Sequence, residues 1–317
     1  MKLNRLNIKT GIDIVTLILA FLLPLILEVN QYLLTVLILM LVFTMYSSAW
    51  NLLATSGQGS LGHAAFFGIG GYVSAIISNS LGLPVILTIV IGGFFAAVIG
   101  VLIGLTCVRL KAWFLAMVTF GFAIIVQTVT VELSGLTGGW DGIPAKKLVP
   151  VTITNHVMYE YYIILVIAVV VIVIIYLIMK SKMGLALEAI RENELEAKVM
   201  GINVTVYKLK AFAASAFFTG IAGALEIHHF GYVTPEVYGI DISFWPIIYS
   251  VSGGLYTIGG PILGTVVITA IWEVLRSFGM TYGRFILIGL ILILIVIFLP
   301  KGLISIPEKI RSKFLKN

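Results

Sequence analysis

Charge is scarce in this 317-residue chain: 11% of its residues are Asp, Glu, Lys or Arg, against about 25% in an ordinary soluble domain. Such a chain has too few polar side chains to cover a water-exposed globule, so most of its surface must face lipid. Cysteine is nearly absent. The one thiol, Cys107, lies inside an apolar block, which excludes an intrachain disulfide and a cysteine metal site. The histidines offer no substitute. His63 and His156 stand alone, and the adjacent His228 and His229 point about 100° apart on a helix. They read as interfacial histidines. A Walker P-loop is missing too: Gly259 and Gly264 have its spacing, but Thr265 stands where the phosphate-binding lysine belongs. These glycines read as a tight turn between two spans. No Ser-His-Asp pattern has a supporting context, so no enzyme active site is expected.

What the chain has in abundance is apolar length. Ile12–Leu27, Leu33–Leu53, Val85–Val108 and Tyr161–Met179 are nearly free of charge. Each is close to the ~20 residues a helix needs to cross the hydrocarbon core. Lipid offers the backbone no hydrogen-bond partner, so spanning segments are helices or closed barrels. Barrel strands alternate polar and apolar residues, and these blocks do not. Lys2, Arg5 and Lys9 precede an apolar run with no small-residue cleavage site after it, which reads as an uncleaved first span.

The expected fold is therefore an all-α polytopic membrane protein, one domain over residues 1–317. Its spans fall near 12–28, 32–53, 61–80, 84–108, 112–132, 158–179, 210–230, 242–256, 258–278 and 284–299. The short eighth span and a re-entrant 61–80 leave a range of eight to ten crossings. With the N-terminus inside, every basic residue except Lys146, Lys147, Arg276 and Arg284 falls on the inner side, as the positive-inside rule requires. The basic excess is thus topogenic, and no nucleic-acid partner is implied. Five spans per half make any internal repeat an inverted one, a common transporter plan. Glu132, Glu226, Glu273 and Arg276 lie toward the outer ends of spans, with Glu273 and Arg276 spaced to pair. No carboxylate is placed at a midplane, which counts against ion coupling.

Two polar segments interrupt the pattern. Residues 134–160 form an outer loop containing Thr137, Gly138, Gly139 and Asp141; residues 181–210 form an inner segment. Gly184–Met200 has the composition of one amphipathic helix, stopped by Gly201. Leu187, Ile190, Glu194 and Ala197 share one stripe; Leu185, Ala189, Glu192 and Glu196 share another. A helix resting on the inner leaflet wants a basic polar face. This one is acidic, with Glu188, Glu192, Glu194 and Glu196 against Arg191 and Lys198, so docking to a cytoplasmic protein is favoured. Gly57 through Gly62 spell G-x-G-x-x-G, but between two spans and without a βαβ unit. Cofactor binding is rejected. The glycines mark either a break lining a pathway, with Gln58, Ser60 and His63 as its polar groups, or a loop before a helix-packing face of Gly62, Ala65, Gly68 and Gly71.

These residues resemble a known family. Asn51-Leu52-Leu53, then Ser60-Leu61-Gly62-His63-Ala64-Ala65-Phe66 through Tyr72, are similar to permease subunits of branched-chain amino-acid ABC importers. So are Thr137-Gly138-Gly139-Trp140-Asp141-Gly142, the whole of Gly184 to Lys210, Ala222-Gly223-Ala224-Leu225, Gly231 through Pro235, and Gly253-Gly254-Leu255. The resemblance spans roughly residues 30–300 and is to the LivM-type member. It implies a multi-pass subunit of a bacterial inner membrane, embedded in lipid, with both termini cytoplasmic. Its implied partners are a second homologous permease, two ABC ATPase subunits and an extracytoplasmic substrate-binding protein. No cofactor is implied on this chain, since ATP belongs to the partner subunits. Glu188, Arg191, Glu192, Asn193, Glu194, Ala197 and Gly201 become the ATPase-coupling residues. The family's EAA-type motif has its nearest match in Glu196-Ala197-Lys198 followed by Gly201. Gln58, Ser60, Gly62, His63 and Phe66 become candidates for the pathway, and Thr137, Gly138, Gly139 and Asp141 for binding-protein contact. The alternatives are an ABC permease for a sugar, nucleoside or urea-like solute, an ion-coupled carrier that works alone, and a non-transporting membrane subunit.

Overall fold

The computed structural model describes residues 20–22, 24, 30–110, 112–280, 283–307 and 309. The expected span 12–28 and Lys2, Arg5 and Lys9 lie almost wholly outside them.

The long helices are α1 (Gln31–Ala54), α2 (His63–Leu81), α3 (Val85–Cys107), α4 (Ala112–Glu132) and α5 (His156–Lys180). Two short polar helices follow, α6 (Lys182–Glu192) and α7 (Glu194–Val199). The chain then enters α8 (Val204–Phe230), α9 (Ile240–Gly253), α10 (Gly259–Ser277) and α11 (Gly283–Phe298). Among the described residues, seven helices are long and apolar enough to cross a membrane: α1 to α5, α8 and α10. The protein is an all-α polytopic membrane protein. Ten crossings are not all found: α9 has 14 residues and α11 has 16, both short of the ~20 that hydrocarbon demands. Residues 61–80, a possible re-entrant segment, form an unbroken 19-residue helix instead.

Helix ends follow local chemistry. Asn30 caps α1 by accepting from the Tyr32 N–H, and Asn203 caps α8 by accepting from Val206 N–H. Gly82 and Gly231 end α2 and α8 in the left-handed conformation, where a Cβ is disfavoured.

The bundle is organised around α8, whose apolar window is 78% buried, whereas those of α4 and α5 are 22% and 28% buried. Those two helices lie at the rim. Lipid gives apolar helices no hydrophobic reason to associate, so close packing of small residues must hold them. Gly70 of α2 and Gly220 of α8 meet backbone to backbone: a Cβ on Gly70 would sit 2.6 Å from the Gly220 carbonyl carbon. α8 packs chiefly on α2 and α3, while α1 packs on α5, α9 and α10 as well as α8. Each half thus lends its central helix to the hairpin of the other. α1 and α8 run antiparallel, since Ser215 Oγ donates to Ala49 O while the earlier Lys208 lines one cavity with the later Ser56. That is the orientation an inverted repeat requires.

One face of the bundle carries α6, α7, the 55–62 loop and the 254–258 loop. The opposite face carries a two-stranded antiparallel sheet, β1 (Ile143–Pro144) with β2 (Tyr232–Val233). The turn between α9 and α10 is made by residues 254–258. Gly259 and Gly264, expected in that turn, belong to α10 instead, and Gly264 packs it against the Tyr249 carbonyl of α9.

Candidate functional site

Gly184–Met200 was expected to be one helix and is two. Asn193 takes an extended backbone (φ −155°, ψ 109°), ending α6 and capping α7, with its side-chain oxygen accepting from Leu195 N–H and Glu196 N–H. Asparagine competes for backbone hydrogen bonds in this way, and the break re-aims the chain. Leu187 and Ile190 of α6 and Ala197 of α7 still turn inward, Ile190 and Ala197 packing on Val204. The outward side carries Glu188, Glu192 and Glu196 together with exposed Leu185, Leu195, Val199 and Met200. Gly201 closes the segment at φ 83° with open space around it, so its backbone conformation, not crowding, calls for glycine.

Arg191 is the joint between this segment and the bundle. Its Cα lies against Gly57, where a methyl group would be only 3.5 Å away. Its guanidinium stacks 4.2 Å over the Tyr256 ring, while Nη2 donates to Glu192 Oε1 at 2.7 Å. Tyr256 has φ 62°, a strained conformation for a bulky residue, costing roughly 1–3 kcal/mol. Asn51 of α1 helps hold it: the amide oxygen accepts from Tyr256 N–H at 2.9 Å and Nδ2 donates to Thr257 O at 2.8 Å. One arginine therefore touches the loop joining α1 to α2 and the loop joining α9 to α10. Neither Asn51 nor Tyr256 was identified from sequence as part of this joint. The available signal was an amide side chain in the last turn of a membrane span.

α7 is tied down separately. Glu194 accepts from Lys208 at 2.7 Å and Lys198 at 2.9 Å. Partial burial pushes the Glu194 carboxyl up, but the two ammonium groups outweigh it and hold it below its usual range. The linkage follows in sign. The stabilisation is complete above the ordinary carboxylate pKa of about 4.3 and is lost as pH falls through the lowered folded value. Lys208→Met is expected to release α7 at neutral pH. Limited proteolysis within residues 194–203 should accelerate several-fold, since ~1 kcal/mol of local opening is roughly a fivefold change in population. Unchanged cleavage would mean that the ion pair does not hold α7.

Between α6, α7 and the 55–58 loop lies a cavity of about 340 Å³, lined by Ser56, Gln58, Leu115, Ile190, Glu192 and Lys208 among others. Gln58, Ser60, Gly62, His63 and Phe66, expected near a pathway, are all buried. Ser56 Oγ donates to Gln58 Oε1, Trp50 Nε1 donates to Ser60 O, and Gly62 is pressed on the Thr119 carbonyl. His63 Nε2 lies 2.7 Å from Ser215 Oγ, and Phe66 packs on Phe122. Gly68 and Gly71 face Tyr238 and Ile227, so small residues on α2 do serve packing.

Three of the histidines expected at interfaces, His63, His228 and His229, are buried instead, while His156 is half-buried at the first position of α5. His228 bridges Ser74 Oγ and Lys146 O at 2.7 and 2.6 Å, and His229 Nδ1 lies 2.7 Å from Glu160 Oε2. They face polar groups that sequence distance concealed. The 145–149 segment is strapped over them, with Lys147 Nζ donating to His229 O at 2.5 Å. In the adjoining loop Thr137 and Gly139 are buried, whereas Asp141 and Trp140 are exposed. Thr137 Oγ1 donates back to α4 at Thr130 O, and the Tyr232 hydroxyl donates to Asp141 O. On the same face Arg276 and Glu273 pair at 3.8 Å, as their spacing predicts. Among the described residues no three His, Cys, Asp or Glu side chains gather to hold a metal.

The family described as branched-chain amino acid transport system / permease component matches residues 32–296. The high-affinity branched-chain amino acid transport system permease protein LivM of Escherichia coli is 30% identical over 274 residues, 78% of this chain and 64% of that protein. The chain thus spans less than two thirds of that relative's length. The probable branched-chain amino acid transport permease protein LivM of Methanocaldococcus jannaschii is 24% identical over 272 residues, 77% of this chain and 78% of that one. A shorter stretch of 123 residues, 37% of each chain, is 32% identical to the galactose/methyl galactoside import permease protein MglC of Escherichia coli. No solved structure matches significantly. A polytopic helical bundle matched over nearly all its spans by one permease model belongs to that family: this chain is a member of the branched-chain amino acid transport system permease components.

Proposed function

We propose that the chain is the transmembrane permease subunit of an ATP-driven importer for branched-chain aliphatic amino acids. An external binding protein delivers the cargo, and partner ATPase subunits supply the energy. The observation that carries this reading is the Arg191 joint. A short polar segment outside the spans, with an outward apolar ridge at Leu185, Leu195, Val199 and Met200, touches two inter-helix loops, α1–α2 and α9–α10. A protein docked on that ridge can shift both loops at once by moving one rigid element. The positive-inside rule puts this face in the cytoplasm, where ATPase subunits reside. Glu188, Glu192, Asn193 and Glu196 supply its polar rim. The opposite face, with Asp141 and Trp140 exposed, is where the binding protein docks. A second permease subunit covers part of the rim formed by α4, and lipid covers the rest.

The test is reconstitution. The chain with its partner permease and ATPases in proteoliposomes, given binding protein and ATP, is expected to accumulate labelled leucine, isoleucine and valine. Uptake by the chain alone, without ATPases, would show an ion-coupled carrier instead. Sugar import is the second reading, favoured by the stretch shared with MglC; galactose uptake in place of leucine would establish it.

A further inference from the structure

The cavity between α6, α7 and the 55–58 loop is unaccounted for by the coupling machinery. Its volume, about 340 Å³, lies in the range of small-molecule sites. Its polar wall is short of acceptors. Arg191 Nε and Nη2 both donate to Glu192 Oε1, at 3.3 and 2.7 Å, while Nη1 is enclosed without a hydrogen-bond partner. Gln58, buried in the loop beside Gly57, engages Ser56 Oγ through Oε1 and leaves Nε2 without a partner as well. Lys208 is also buried, and its ammonium group donates to Glu194 Oε2 at 2.7 Å, one bond where three are available. A buried donor without an acceptor is a cost that native structures ordinarily avoid. Two such nitrogens and a partly served ammonium on one cavity mark a place for an acceptor that their neighbours do not provide.

The carboxylates of the lining are already engaged. Glu194 accepts from Lys208 and from Lys198. Glu192 accepts from Arg191, and its side chain is largely exposed to solvent. Asn193 Oδ1 accepts from two backbone N–H groups. The lining thus has donors to spare and little to offer an ammonium group. Leu110, Leu115 and Ile190 give the same cavity an apolar wall. Water meets the donors but gains nothing from that wall, and neither does a phosphate. A carboxylate on a short aliphatic tail meets both. Its hydrogen bonds to Arg191 and Lys208 are charge-assisted, roughly twice as strong as neutral ones.

We propose that this cavity is a regulatory site for a short aliphatic carboxylate, the chemistry shared by a branched-chain amino acid and its 2-oxo acid. Arg191, Gln58 and Lys208 hold the carboxylate, and the tail lies on Leu110, Leu115 and Ile190. Gly57 already lies against the Arg191 backbone, so a ligand held by Gln58 and Arg191 bridges the α1–α2 loop to α6. Lys208 extends the bridge to α8 and, through Glu194, to α7. Bound ligand therefore clamps α6 and α7 to the bundle and opposes the rigid-body movement that coupling requires. The effect on transport rests on the importer reading above; the binding does not.

Binding is tested on the full chain in detergent, without an external binding protein. Labelled 4-methyl-2-oxopentanoate is expected to bind in equilibrium dialysis with a Kd of about 1 mM or below. Leucine should compete; inorganic phosphate and 3-methylbutylamine, which lacks the carboxylate, should not. Leucine binding the more tightly of the two would make the amino acid itself the ligand. Gln58→Glu sets a carboxylate among the donors and should abolish binding, while Gln58→Leu should weaken it by about tenfold, the scale of one hydrogen bond to a charged group. Independently of any substitution, ligand at about ten times its Kd should slow limited proteolysis of the wild-type chain within residues 194–203 several-fold. Absence of saturable binding, displacement by phosphate, or undiminished binding by Gln58→Glu would overturn the site; proteolysis decides if the variants fail to fold. In proteoliposomes of the complete transporter, ligand at its Kd on the α6 side should lower leucine uptake by about twofold. Binding without that effect would overturn the regulatory role. A transporter that takes up no leucine would overturn the cargo reading and leave the carboxylate site standing.

Discussion

Gly223→Leu is expected to leave almost no folded permease in the membrane. A Cβ at Gly223 would be driven onto the Phe67 carbonyl, 2.7 Å from its carbon and 3.0 Å from its Cα. These are backbone atoms of α2, so no side-chain rotation relieves the clash. α2 and α8 would have to separate, and the nearby Gly70–Gly220 contact would open with them. Overpacking a core costs about 1–3 kcal/mol when side chains can adjust, and here they cannot. In lipid the loss weighs more, because close packing is itself what associates the helices. Gly121→Ala is the matched control. It has open space around it, and alanine gains up to ~1 kcal/mol over glycine in a helix. Detergent extraction followed by size-exclusion chromatography should show monodisperse protein for Gly121→Ala and none for Gly223→Leu. Equal recovery of both would show that the packing is not this tight.

Arg191→Ala is expected to separate ATP hydrolysis from transport. Hydrolysis by the assembled complex should persist while uptake falls by about tenfold, a loss of ~1.4 kcal/mol in coupling. Alanine keeps the backbone contact at Gly57 but removes the guanidinium from Tyr256, a cation–π contact worth roughly 0.5–2 kcal/mol. Tyr256 then depends on Asn51 alone to hold its left-handed backbone. Arg191→Lys keeps the charge and loses the planar stack, so uptake should lie between the two. Were Arg191→Ala to transport at the wild-type rate, the joint would be only structural.

Chemistry confined to neighbours in the chain was legible without a structure. The spans at 32–53, 84–108, 112–132 and 158–179 became helices within two residues of their expected ends, because lipid permits so few backbone arrangements. The Glu273–Arg276 pair followed from i,i+3 spacing. The segment 181–210 stood out because an acidic helix has no reason to rest on an acidic leaflet. Local competition was harder to read. Asn193 divides the segment because its side chain serves two backbone N–H groups better than the helix does, and periodicity carries no trace of that preference.

The sequence by itself determined that this protein is a helical membrane bundle, where most of its spans run, and which segment stands apart from lipid. These follow from the cost of polar backbone and charge in hydrocarbon, which each residue carries wherever the chain goes. Only the tertiary structure decided the partners. It set Arg191 on Tyr256, Asn51 across the 256–257 backbone and His229 on Glu160. Such pairings depend on helix rotation and register, which are settled by packing small residues such as Gly70, Gly220 and Gly223 between helices far apart in the chain.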